Sequence, residues 1–247
     1  MLVSAGAVYG LAGTPAFGFS RLEISGATLT PESTIRSQVG VPPGTNLVGL
    51  STGPILARLR EIPSVDTASV AVQLPDVLHV SVEERRPVLL WGVGTHRFTV
   101  DGGGYLFAEL GPNAPAAVAA LPTVFDQRAG SQTLTVRSHL DPTDLDAATR
   151  LGSLTPDAIG SKAAKLTVSV TDERGFTLGS GVRGWLAVFG FYGRSQRTPA
   201  LIQGQVQLLT KLLDGREDTI QTVILADDRD GTYIPKATAR PSASARP

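Results

Sequence analysis

Two alternating runs that meet at one turn restrict this chain more than any other feature. Ala68, Val70, Val72 and Leu74 alternate with Thr67, Ser69, Ala71 and Gln73; past Pro75-Asp76, Leu78, Val80 and Val82 alternate with His79, Ser81 and Glu83. A period of two packs one face of each strand and leaves the other wet, and the turn between them predicts an antiparallel hairpin. Upstream, residues 17–27 hold Phe19, Leu22 and Ile24 in an extended run that stops at Gly26, a short strand. Thr30 as N-cap, Pro31 at the first helical position and Glu32 in the first turn predict a helix that Gly40 closes, with Ile35 and Val39 as its apolar pair. Ser51 or Thr52 caps a second helix with Pro54 in its first turn. Ile55, Leu56, Leu59 and Ile62 form one stripe along it, and Pro63 stops it. The order strand, helix, helix, strand, strand lets two helices cover one face of a three-stranded sheet, a small α+β domain.

Composition narrows the function classes. Lys and Arg number 22 against 22 Asp and Glu, so there is no concentrated cationic charge for gripping nucleic acid. With no Cys, disulfides, thiol catalysis, iron–sulfur clusters and zinc ribbons are ruled out. The chain has 247 residues, and its 27 Gly and 17 Pro suit strands and turns better than long helices. No charged residue precedes Arg21, and residues 1–12 are apolar or small. As a helix that stretch rises about 18 Å, against the roughly 30 Å of hydrocarbon in a bilayer. A basic n-region, which a signal peptide needs, is not there. Two readings stand on the residues alone: a buried or flexible terminus, or the outer half of a membrane span whose start lies upstream.

The second half is richer in strands. Residues 97–100 and 105–108 read as a hairpin around Asp101-Gly102-Gly103-Gly104, 111–122 as a long loop and 133–137 as a weak strand. Asp141-Pro142 opens a helix with Leu145, Ala148 and Leu151 on one face. A strand is expected over 165–171, and further strands over 176–178 and 184–191. Thr198-Pro199 starts the most amphipathic helix, with Ile202, Val206, Leu209 and Leu213 on one stripe and Asp214-Gly215 as its stop. Residues 219–226 are β-rich, and 236–247 form a low-complexity tail expected to be disordered.

Several short patterns, in this order, resemble one family. They are Leu22–Gly26 (LEISG), Ile62-Pro63-Ser64-Val65 followed by Ala68-Ser69-Val70, Leu74-Pro75, Val80–Trp91 (VSVEERRPVLLW) and Val100–Phe107 (VDGGGYLF). The first domain resembles a POTRA domain, and the whole chain resembles the extracytoplasmic part of the FtsQ/DivIB cell-division family, loosely to about residue 235. The resemblance implies residues 1–16 as the remnant of a transmembrane helix and linker, 17–91 as the POTRA domain (β-α-α-β-β), 92–235 as a larger mixed β domain with helices on one face, and 236–247 as the tail. It also implies a single span with the N-terminus inside and a place at the division site. The implied function is a non-enzymatic divisome scaffold acting in septum formation, with no cofactor, nucleic acid or small-molecule substrate. Its implied partners are small coiled-coil proteins of the FtsB and FtsL kind, bound by strand addition. Two alternatives are weighed: a POTRA module of outer-membrane assembly or secretion, and a glycan-active envelope enzyme.

Candidate sites follow from the residues. Glu83, Glu84, Arg85 and Arg86 end a strand and Pro87 stops its pairing, so exposed ion pairs there contribute little; with Trp91 the resemblance makes Glu83, Arg85 and Pro87 a domain junction. Gly102–Gly104 precedes strand residues, which suits a turn and not a phosphate cradle. His96 and His139 have no ligating companions at metal spacing. Ser20, Ser180 and Ser195 lie in no nucleophile elbow, and Asp227, Asp228 and Asp230 read as a solvated turn and not as a carboxylate pair. Thr219, Ile220, Gln221, Thr222, Val223, Ile224 and Leu225 form the partner-binding candidate. Ile220, Thr222 and Ile224 are expected on one face, Val223 and Leu225 on the other. Either another strand covers this segment or its edge is bare and used for strand addition, and the resemblance favours use. Arg194 and Arg197 are candidate flanks of that site.

Overall fold

A computed structural model describes residues 15–195 and 197–237. The expected span remnant at residues 1–11 lies outside these residues, as does nearly all of the expected tail. The described residues group into two compact units, 15–86 with 111–116 and 87–110 with 117–237. The division at Arg86/Pro87 falls before Trp91, the expected end of the first domain.

The first unit is the β-α-α-β-β arrangement expected: β1 (Arg21–Ser25), α1 (Glu32–Val39), α2 (Gly53–Arg60), β2 (Val65–Gln73) and β3 (Val77–Glu84). β3 is central, parallel to β1 and antiparallel to β2. Phe19, Ile35, Val39, Ile55, Leu59 and Ile62 close on Leu78, Val80 and Val82 as one core. Gly26 ends β1 with φ of +83°, and a Cβ there would stand 2.0 Å from the Val82 carbonyl oxygen, so only glycine lets the chain leave the sheet at this point. Gly40 closes α1 in the left-handed conformation. The start of α1 differs from expectation. Thr30 does not cap it, because its hydroxyl pairs with Ser64 at 2.6 Å. Instead the Glu84 carboxylate gathers the N–H groups of Thr28, Leu29 and Thr30 at 2.6–2.8 Å, fastening the approach to α1 onto the end of β3.

The second unit is built on a nine-stranded mixed sheet. Its elements are β4 (Pro87–Val93), β5 (His96–Asp101), β6 (Leu106–Glu109), α3 (Ala116–Ala119), β7 (Thr123–Asp126), α4 (Pro142–Gly152), β8 (Thr167–Thr171), β9 (Gly175–Gly179), β10 (Leu186–Gly190), α5 (Ile202–Leu213), β11 (Ile220–Leu225) and β12 (Gly231–Pro235). Across the sheet the order is β12-β11-β10-β9-β8-β7-β4-β5-β6. The pairs β4/β7, β7/β8 and β10/β11 are parallel and the rest antiparallel. Helices α4 and α5 lie on one face, where Ala147, Ala148, Leu151, Ile202, Leu209 and Leu213 share a core with Trp91, Val124, Val168, Leu178, Ala187 and Val223.

Three expectations are corrected here. Residues 133–137 are not a strand: Ala129–Thr133 winds as a 3-10 turn, and Arg137 sits at φ of +80°. The loop 111–122 contains the single helical turn α3. No strand is expected over 87–93, yet β4 forms there; Leu89 to Val93 are all buried, so the run has no polar alternation to mark it.

Candidate functional site

The two outer strands of the large sheet end differently. At β6 the edge is covered where the strand begins: Leu106 donates to the Ser138 carbonyl at 2.9 Å, Arg137 donates to the Leu106 carbonyl at 2.7 Å, and Tyr105, just before the strand, bridges to His139. At the opposite end stands β12, and among the described residues nothing pairs with its outer side. This corrects the sequence reading of residues 219–226. Strand β11 is not an edge, because β10 holds it on one side and β12 on the other.

Alternation within β11 is corrected as well. A register shift lies between Ile220 and Thr222, so Ile220 is buried together with Val223 and Leu225. Gln221 and Ile224 are exposed and Thr222 is half-buried. Thr219 belongs to the preceding 3-10 turn, where its hydroxyl donates to the Arg216 carbonyl at 2.8 Å. Of the seven candidate residues, therefore, Ile220, Val223 and Leu225 are core.

The hydrogen-bond phase of the last hairpin identifies the outward groups. Ala226 donates to the Asp230 carbonyl at 2.9 Å, and the register pairs Ile224 with Thr232 and Thr222 with Ile234. Bonded and non-bonded pairs alternate along an antiparallel ladder. Thr232 and Ile234 therefore bond β11, while Tyr233 turns its N–H and C=O away from the sheet. On β11, Val223 turns its own toward β10. All five residues of β12 are exposed and none is charged, with Asp230 directly before them and Lys236 directly after. Edges that remain solitary are guarded by charges, prolines, bulges or covers; β12 is guarded at its two ends, by Asp230 and by Pro235, and the outward groups of Tyr233 between them are not.

Both ends of the β10/β11 pair are fixed by side chains. At the start, Glu217 accepts the indole N–H of Trp185 at 2.8 Å, the Lys162 N–H at 2.9 Å and the Ser161 hydroxyl. Burial pushes its carboxyl up, but these hydrogen bonds outweigh that and hold it below the usual range. At the far end, Arg197 and Gln205 take the carbonyls of Phe189 and Leu225. Arg197, expected as a flank, is thus part of the sheet's own fastening, while Arg194 is exposed with Asp141 at 3.6 Å.

The junction candidates have local partners within their own units. Glu83 accepts the Thr67 hydroxyl at 3.2 Å, and Arg85 reaches the Pro63 carbonyl at 3.1 Å and Asp66 at 3.5 Å. Pro87 begins β4 and Trp91 is fully buried in the core of the second unit. The Gly102–Gly104 segment is a hairpin turn in which the Asp101 carboxylate accepts the N–H groups of Gly103 and Tyr105. His96 pairs with Glu109 at 2.7 Å and His139 packs on Tyr105. Among the described residues no cluster of three or more His, Asp or Glu is arranged to hold a metal ion. The Asp227 carboxylate accepts the N–H groups of Asp230 and Arg229, which lower its pKa, the opposite of what a protonated acid for glycan hydrolysis requires.

Comparison with known proteins agrees with this architecture. The FtsQ-type POTRA domain family matches residues 17–85. A cell division protein FtsQ of Streptomyces venezuelae is 31% identical over 194 residues, covering 74% of this chain and 69% of that protein. The chain belongs to the FtsQ family of cell division proteins. Another FtsQ, of Streptomyces collinus, is 29% identical over 182 residues, 73% of this chain and 68% of its own length. Among solved structures, POTRA domains 3–5 of Haemophilus influenzae BamA align over 85% of this chain and 91% of theirs at 12% identity. Their TM-score of 0.23 is too low to bear on the fold. Among the described residues of this FtsQ-family chain no helix is long and apolar enough to cross a membrane.

Proposed function

We propose that this chain acts in cell division as a non-enzymatic scaffold, and that it binds an extended segment of a partner protein along the outer edge of β12. The observation that carries this reading is the contrast between the two ends of one sheet. The start of the β6 edge is covered by 137–139, whereas β12 offers uncharged residues with the N–H and C=O of Tyr233 turned outward. Strand addition would satisfy those groups, and the exposed Tyr233 and Ile234 would give the contact its side-chain selectivity. The proposed partners are small coiled-coil division proteins of the FtsB and FtsL kind, and the proposed attachment to the membrane is a span at the N-terminus; membership in a family of cell division proteins supports a partner of the division machinery.

The test is co-expression of the full chain with the FtsB-like protein of its own organism, as wild type and as Tyr233→Pro. Proline at 233 removes an outward donor and leaves the bonds of Thr232 and Ile234 to β11 in place. Capture should be lost while the protein stays folded. Capture at the wild-type level by a folded Tyr233→Pro chain would sink the edge reading.

A further inference from the structure

Strands β10 and β11 run parallel and stop together, at Gly190 and Leu225, and the carbonyls of Phe189, Leu225 and Ala226 lie at that end. One side-chain cluster takes them. The Arg197 guanidinium donates to the carbonyls of Phe189 and Ala226, and to that of Leu225 at 2.9 Å. Buried Gln205 of α5 donates to Phe189 and Leu225 at 3.3 and 3.1 Å and accepts the Tyr192 hydroxyl at 2.7 Å. The Tyr192 ring in turn lies 5.8 Å from the guanidinium carbon. A planar fork of five donors suits three carbonyls from two strands in a way that a lysine ammonium does not.

Glycines make room for this cluster and for the turn beyond it. Gly190 has φ of +85°, and a Cβ there would meet Arg197 Nη2 at 3.1 Å. On α5, a Cβ at Gly204 would stand 2.3 Å from the Cβ of Asp228, so the 226–230 turn rests directly on the helix. At the start of β12, a Cβ at Gly231 would touch Leu208 at 3.1 Å.

From this arrangement we infer that Arg197 and Gln205, with the Gly204 seat, form a latch that fixes the plane of the β11–β12 hairpin and so presets the edge for a partner strand. Arg197 is a positioning residue: it reaches the backbone of β10 and β11, and not the outer side of β12. The inference rests on the β12 reading above, and its test separates the two. Edge preorganisation lowers the ordering cost of strand addition, so loosening the hairpin weakens binding without removing a contact.

The experiment uses the full chain as wild type, Arg197→Met, Arg197→Lys, Gln205→Leu and Gly204→Ala. Amide hydrogen exchange is read at Thr232 and Ile234 against β4 and β5, with capture of the co-expressed FtsB-like protein measured in parallel. Arg197→Met and Gly204→Ala should speed exchange at Thr232 and Ile234 tenfold or more, leave β4 and β5 unchanged and reduce capture by a similar factor. Arg197→Lys and Gln205→Leu should fall between these and wild type. Unchanged exchange at 232 and 234, a rise shared equally by β4 and β5, or faster exchange with undiminished capture would each overturn the latch. If the wild type captures nothing while exchange at 232 and 234 responds as stated, the partner reading fails and the latch stands.

Discussion

Trp91 and Glu84 show how much single residues carry in each unit. Trp91 has no exposed surface, and its indole N–H meets no acceptor among the described residues. Truncation to alanine should therefore cost the second unit about 3–5 kcal/mol, the range for a large buried aromatic. Trp91→Phe should cost less than about 1.5 kcal/mol, because it keeps apolar fill and removes an unpaired donor. Urea unfolding of the two variants checks the ordering, and equal losses would contradict it. Glu84 acts through charge. Burial pushes its carboxyl up, yet hydrogen bonds from Thr28, Thr30 and Leu29 outweigh burial and hold it below the usual range. The folded pKa thus lies below the unfolded one. Its contribution is complete above the unfolded value of about 4.3 and is lost as pH falls through the folded value. Thermal unfolding of the first unit should drop on that acid limb, and Glu84→Gln should both lower the neutral plateau and flatten the limb.

Elements were legible where one face is wet. The hairpin β2–β3 and helices α1, α2, α4 and α5 all show a period of two or of three to four, and the structure has each of them. The element hidden by burial was β4, apolar on both faces. Strand β12 was hidden for the opposite reason: Gly231-Thr232-Tyr233-Ile234-Pro235 is five exposed residues bounded by glycine and proline, and it is a strand only because β11 lies beside it. Without a sequence signal for β12 the edge is expected one strand too early, and the register shift after Ile220 changes the faces of β11. The long-range ties, Glu84 to the 28–30 turn and Arg197 to three carbonyls, leave no spacing in sequence to read. The correction of the edge alters what proline does at each strand. Val223→Pro removes a bond between β11 and β10 in the interior of the sheet and should destabilise the second unit by at least about 3 kcal/mol. Tyr233→Pro should leave its urea midpoint within error of wild type. Similar midpoints for the two variants would contradict the assigned hydrogen-bond phase.

At the scale of the whole molecule, the chain is two units, each with its own core, and it belongs to a family of cell division proteins. Short motifs carry the family in the sequence because they mark places the backbone cannot vary, such as Gly26 against the Val82 carbonyl and the Asp101 turn. The functional reading joins that membership to one bare edge. The most direct test is made in the native organism, by depleting the chromosomal protein and supplying wild-type or Tyr233→Pro chain at equal level. Depleted cells should fail to form septa, the wild type should restore division, and Tyr233→Pro should not. Normal division after depletion, or full rescue by Tyr233→Pro, would contradict the account.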